Sequence, residues 1–260
     1  MKPLFGKRAP AWNLFPAILL SVISLTAVLF FYLDPLKTSD KALSSLLEAA
    51  IPRFFIAAFL LAITAQFFPD CLAFRRIPFK NLFWCVPLLF VALANFPFPA
   101  LIAGTARVTR SELIGLFAVK CILIGLGEEL LFRGILYDFF AEIFARKQKS
   151  CFFPVLLSST VFALFHLVNL LEGAGILPVL QQIGYSFLIG AMLAVLYVKT
   201  KNLWLCVILH ALFDFGGLMI SDLGVGDPHD LIFWILTALF GILCAVHVVA
   251  TLVRLCKPKV

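Results

Sequence analysis

The sequence predicts an all-α, polytopic integral membrane bundle of about eight transmembrane helices with both termini cytoplasmic. Composition, the spacing of apolar runs and the placement of Lys and Arg carry that expectation. The 260-residue chain is 63% hydrophobic and 13% charged, has 29 phenylalanines and a mean hydropathy of +1.07. Soluble domains are apolar in only about half of their residues, so a soluble globular class is excluded.

Crossing about 30 Å of hydrocarbon takes about 20 apolar residues. Eight such runs stand at residues 12–33, 50–68, 81–103, 112–140, 152–171, 175–198, 203–220 and 231–255. The first follows Lys2, Lys7 and Arg8, but it is too long for a signal peptide and is not followed by a small-residue cleavage site, so it reads as a retained helix. The second is preceded by an amphipathic stretch, LKTSDKALSSLLEAA, with Ser39 and Asp40 as helix caps. Pro87, Pro97 and Pro99 predict a third run that kinks or ends early near Asn95. LEGAGILP, residues 171–178, reads as a helix stop and restart. The connections are too short for a soluble domain, and the whole chain, residues 1–260, reads as one transmembrane domain without internal repeats.

Positive residues are retained on the cytoplasmic side. With the N-terminus inside, the inner segments hold fourteen of the 21 basic residues, from Lys2, Lys7 and Arg8 through Arg75, Arg76, Lys80, Arg146, Lys147, Lys149, Lys199, Lys201, Arg254, Lys257 and Lys259. The outer segments hold four, Lys37, Lys41, Arg107 and Arg110, and the spans hold Arg53, Lys120 and Arg133. The net charge of +7 is therefore a topological signal, with contact to anionic headgroups second. Dispersed over short loops, it forms no stripe for nucleic acid. The seven cysteines show no CxxC pair and read as small packing residues without disulfides.

A charge at the bilayer centre costs about 2.5–3.5 kcal/mol on insertion scales, so ionisable groups within the spans require a purpose. Lys120, Glu128, Glu129, Arg133, His166, His210 and Asp214 lie at membrane depth, with Arg53, Asp138 and His247 nearer the ends. Glu129 and Arg133 are four apart, acid first, the favourable order for a helical ion pair. Glu128 points about 100° away and is left free for another task. Phe162 and His166 are four apart, Asn169 follows at three, and His210 and Asp214 repeat the spacing of four. Counting about 1.5 Å per residue from the span ends brings Glu128 and His166 to similar depth, with His210 somewhat closer to the inner face. Such a cluster suits water activation: a carboxylate in a low-dielectric pocket becomes a better general base, and neighbouring donors stabilise an oxyanion. Ser158 and Ser159 read as packing residues rather than nucleophiles, and Lys120 as a snorkelling or internally paired lysine.

EELLFR (Glu128 to Arg133), FALFH (Phe162 to His166) and HALFD (His210 to Asp214), in this order, resemble the EExxxR, FxxxH and Hxxx(N/D) motifs of the CPBP intramembrane protease family, which includes type II CAAX prenyl endopeptidases and bacteriocin-processing relatives. The resemblance covers about residues 120–220, within a motif-bearing core of about 112–220. It implies a metal-independent, cofactor-free endopeptidase in which Glu128 activates water, His166 is its catalytic partner, and His210 with Asp214 stabilises the oxyanion. Glu129 and Arg133 take structural roles, with Phe162 and Asn169 as site support. Asn at the last motif position donates through its amide, whereas Asp214 donates only when protonated. The implied substrate is a membrane peptide or lipidated, CAAX-type protein, cut in a cavity open toward the cytoplasm, and the expected location is a bacterial plasma membrane. Three other readings stand beside it: a zinc protease using His166, His210 and Glu128, a non-proteolytic self-immunity or scaffold protein, and a transporter.

Overall fold

The computed structural model describes residues 16–17, 20–25, 38–144, 152–171 and 173–255. The predicted first span, 12–33, lies largely outside these residues. Helix α1, Lys41–Phe67, opens at Asp40, whose carboxylate accepts from the Ala42 and Leu43 amides, so the amphipathic outer piece and the second predicted span are one helix. The third predicted span breaks where Pro97 removes a donor: α2 covers Val86–Ala94 and α3 covers Phe98–Ala103, with Asn95 between them. Helix α4, Ile114–Glu129, runs through a π-helical turn, Leu130–Leu136, into α5, Tyr137–Ile143. Helix α6, Phe152–Phe165, tightens into a 3-10 turn, His166–Leu170. Helices α7, Ile176–Thr200, α8, Leu203–Leu223, and α9, Leu231–Leu255, complete the bundle.

The protein is an all-α polytopic membrane protein. Among the described residues, six helical stretches are long and apolar enough to cross a bilayer: Lys41–Phe67, Phe83–Ala103, Phe152–Leu170, Ile176–Thr200, Leu203–Leu223 and Leu231–Arg254. The α4–α5 rod is a further long helix, distinguished by Lys120, Glu128, Glu129 and Arg133.

One feature was not expected from the sequence. Strand β1, Ala106–Val108, pairs antiparallel with β2, Gly224–Gly226, joining two outer loops. Gly226 has φ +104°, and a Cβ there would stand 2.2 Å from the Thr105 carbonyl oxygen, so glycine alone fits. The same end carries Asp40, Arg110 and Glu112 in one ion-pair cluster. At the opposite end the Trp204 indole donates to Leu72 O at 2.9 Å and the Asn202 amide to Arg75 O at 3.2 Å. Segments that the basic-residue count assigns to opposite sides thus gather at opposite ends.

In lipid the hydrophobic effect does not draw helices together, so close backbone approach through small residues does. Helix α4 meets α8 at Gly125, where a Cβ would lie 3.0 Å from Val207 O and 3.5 Å from the Ala211 methyl. Helix α6 meets α7 at Gly190, beside Ser159 and Phe162. The π turn and residues 189–198 of α7 are continuously buried, forming the packed half of the bundle toward the basic loops. The outer part of α7 is much more open, with Ile176, Leu177, Leu180 and Tyr185 exposed.

Candidate active site

Glu128 and Glu129 close α4 where the backbone widens into the π turn, a distortion frequent at functional sites. Across that turn the Arg133 guanidinium donates to Glu129 Oε1 at 2.5 Å, with both side chains essentially buried. Its other nitrogen donates to Gly190 O on α7 at 3.0 Å, and its plane lies 4.6 Å from the centre of the Phe162 ring. Arg133 therefore does more than neutralise one acid: it fastens the π turn to α6 and α7.

His210 on α8 joins the two glutamates. Its Nδ1 stands 2.7 Å from the same Glu129 oxygen that Arg133 engages. The opposite nitrogen, Nε2, faces Glu128 Oε2 at 3.5 Å and Asp214 Oδ2 at 3.7 Å. Glu129 is fully buried, while the Glu128 side chain is 24% exposed, so only one of the adjacent acids can meet water or a substrate. Since the Glu129 carboxylate accepts from Nδ1–H, the imidazole presents Nε2 to the open side.

The Phe162 ring holds this cluster from α6. His166 packs edge to face on it at 5.1 Å and His210 at 5.8 Å, with Phe132 behind it at 5.0 Å. His166 opens the 3-10 turn and its Nδ1 donates to Phe162 O at 3.0 Å, which leaves Nε2 as the lone-pair nitrogen. Among the described residues His166 makes no hydrogen bond or ion pair with Glu128 or Asp214; it joins the cluster through Phe162. Asn169, three residues after His166, turns to a neighbouring helix. Its amide donates to Gln182 Oε1 on α7 at 2.7 Å, tying the turn to that helix.

The sequence marks Asn95 only as the point near which a span ends. Asn95, in the α2–α3 break, donates to Phe213 O at 2.8 Å and so steadies the turn before Asp214. Lys120 pairs with Asp222 at the end of α8, which resolves its two expected roles in favour of internal pairing. The half of the bundle toward the basic loops is filled by Leu130–Leu136 and by residues 189–198. The partly exposed Glu128 and His166 adjoin the other half, where the outer part of α7 stands open. Among the described residues, no group of three or more His, Cys, Asp or Glu side chains is arranged to hold a metal ion.

Residues 110–216 match the family model described as type II CAAX prenyl endopeptidase Rce1-like, a stretch that contains all three motifs and every residue of the charged cluster. No curated protein and no solved structure gives a significant match. The matched family is one of intramembrane endopeptidases acting on peptides in the bilayer. Residues 110–216 of this integral membrane chain are thus similar to the type II CAAX prenyl endopeptidase Rce1-like family, in agreement with the resemblance of the three motifs to the CPBP proteases.

Proposed function

We propose that the chain is a glutamate-dependent intramembrane endopeptidase in which Glu128 activates water to hydrolyse a peptide bond of a membrane-associated or prenylated substrate. The observation that carries this reading is the division of labour between neighbouring acids. Arg133 and His210 saturate one oxygen of buried Glu129, while Glu128 remains partly exposed beside His210 Nε2. Glu128 takes a proton from water as the water oxygen bonds to the carbonyl carbon. His166, its Nδ1 committed to Phe162 O, offers Nε2 to the same water. His210, protonated at both nitrogens with Nδ1–H held by Glu129, donates from Nε2–H to the developing oxyanion beside Asp214, and collapse breaks the C–N bond as the leaving amine takes the proton. The substrate is a membrane peptide or a lipidated protein, the catalytic unit needs no cofactor, and the protein works in a bacterial plasma membrane.

The test is cleavage of a quenched peptide bearing an S-prenylated cysteine followed by three C-terminal residues, by the full chain in liposomes. Glu128→Gln removes the base with little change of shape and is expected to abolish cleavage, with chelator without effect on the wild type. Loss of cleavage on chelation would replace this mechanism with a zinc one. Wild-type cleavage retained by Glu128→Gln would refute the assignment of the base.

A further inference from the structure

Of the side chains used in the mechanism above, Glu129, Arg133 and His210 hold one another through hydrogen bonds, and His166 is held by Phe162 O. Asp214 has no such tether. Its Oδ2 is buried without a hydrogen-bond partner among the described residues, and His210 Nε2 lies 3.7 Å away. Its place is therefore set by the backbone that carries it, and that backbone is gripped from outside α8. The Asn95 amide, in the break between α2 and α3, donates at 2.8 Å to Phe213 O, the oxygen of the peptide unit whose nitrogen belongs to Asp214. A peptide unit is planar, so holding its oxygen constrains the direction in which Asp214 stands. Two glycines open the seat for this contact. A Cβ on Gly216 would stand 2.6 Å from the Phe96 ring and 3.0 Å from Phe96 N, and one on Gly217 would stand 2.5 Å from Asn95 Nδ2. The Phe96 ring also lies 6.0 Å from that of Phe215, which packs on Phe117 of α4 at 4.9 Å. Asn95 and Phe96 thus bear on α8 on both sides of Asp214.

We infer, on the peptidase reading proposed above, that Asn95 is a positioning residue for the reaction, its amide holding the 213–214 peptide so that Asp214 faces His210 Nε2. Asn95 lies outside residues 110–216, the stretch matched to the protease family. A carboxylate facing the imidazole attracts the charge that His210 carries while it donates to the oxyanion, and the attraction weakens with distance. Geometry at a reacting centre is steep: a misplacement of about 1 Å can cost about 10²-fold in rate. The broken helix, which carries none of the three motifs, thereby sets the aim of the last motif residue.

Asn95→Ala removes the donor without altering α8. With the prenylated peptide and the full chain in liposomes, its kcat is expected to fall about 10–10²-fold with KM unchanged. In an Asp214→Ala background the same substitution is expected to change kcat by less than about twofold, because the residue it positions is gone. Equal losses in the two backgrounds overturn the inference, as does an Asn95→Ala kcat within about twofold of wild type. Gly217→Ala reaches the amide from the other side. The added methyl forces Asn95 Nδ2 away while alanine favours the helix, so this variant is expected to fold and to lose kcat as Asn95→Ala does. Wild-type kcat in Gly217→Ala would also overturn the inference. A further arm needs no turnover. Phe213–Asp214 is the one Phe–Asp pair in the sequence, so carbonyl-13C phenylalanine with 15N aspartate labels this peptide bond alone. In Glu128→Gln protein its carbonyl resonance is expected to move when Asn95→Ala is added, and a resonance that stays still overturns the placement. A wild type that cleaves nothing strikes the peptidase reading, while the resonance still reads the hold of Asn95 on the Asp214 peptide, so the two failures are distinguishable.

Discussion

Gly190→Ala tests whether the Phe162 ring is the keystone of the site. A Cβ at position 190 would lie 2.8 Å from Phe162 Cδ1, 3.3 Å from the Arg133 guanidinium nitrogen and 3.5 Å from Ser159 Cα. Carbon atoms pack at about 3.5–4.0 Å, so the ring or the helix must retreat by about 0.7–1.2 Å. Phe162 has little room to do so, since Phe132 backs it at 5.0 Å and Arg133 covers it at 4.6 Å. Overpacking of this kind costs about 1–3 kcal/mol. Because both histidines rest on that ring, a shift near 1 Å is expected to lower kcat about 10²-fold. Gly184→Ala is the matched control on the same helix: its Cβ meets nothing within 4 Å, and it is expected to stabilise by about 0.5–1 kcal/mol with cleavage intact. Unfolding in mixed micelles and cleavage kinetics would be read for both variants. If Gly190→Ala behaves like Gly184→Ala in both assays, the ring is not held as described and the argument fails.

Three further outcomes follow from the charged clusters. Arg133→Met strips the counter-ion from Glu129 and is expected to destabilise by about 3–5 kcal/mol, seen as an earlier unfolding midpoint, whereas Arg133→Met with Glu129→Leu is expected to cost less. Lys120→Met leaves Asp222 unpaired and is expected to lower stability more than Lys120→Met/Asp222→Asn does, a double-mutant comparison that isolates the pair. At the outer end the Arg110 guanidinium beside Asp40, helped by the Leu43 and Ala42 amides, holds the Asp40 carboxyl well below the usual carboxylate range. A lowered folded-state pKa stabilises above the ordinary carboxylate value of about 4 and is lost as pH falls below it. Hydrogen exchange at residues 41–46 is therefore expected to stay protected from about pH 7 to 5 and to loosen only at lower pH. In Asp40→Asn that acid-dependent change is expected to vanish.

Local patterns in the sequence carry physics that a helix obeys on its own. Twenty apolar residues make a span, prolines around Asn95 interrupt one, Asp40 caps one, and an acid four residues before an arginine places Glu129 against Arg133. These features depend on neighbours within a turn or two, so they are legible without the fold. The resemblance of the three motifs likewise directs attention to Glu128, His166, His210 and Asp214. Their contacts were another matter. His210 and Glu129 are 81 residues apart and Lys120 and Asp222 are 102 apart, separations at which helical periodicity says nothing about who meets whom. The pairing of β1 with β2 and the turn of Asn169 toward Gln182 rest on loop and helix docking of the same kind. The sequence alone determined that the protein lives in a bilayer and which polar side chains must be reckoned with there. Only the tertiary structure decided that one histidine ties the two adjacent acids together and that Phe162 carries both histidines, because small-residue contacts such as Gly125 against α8 and Gly190 against α6 set how the helices meet.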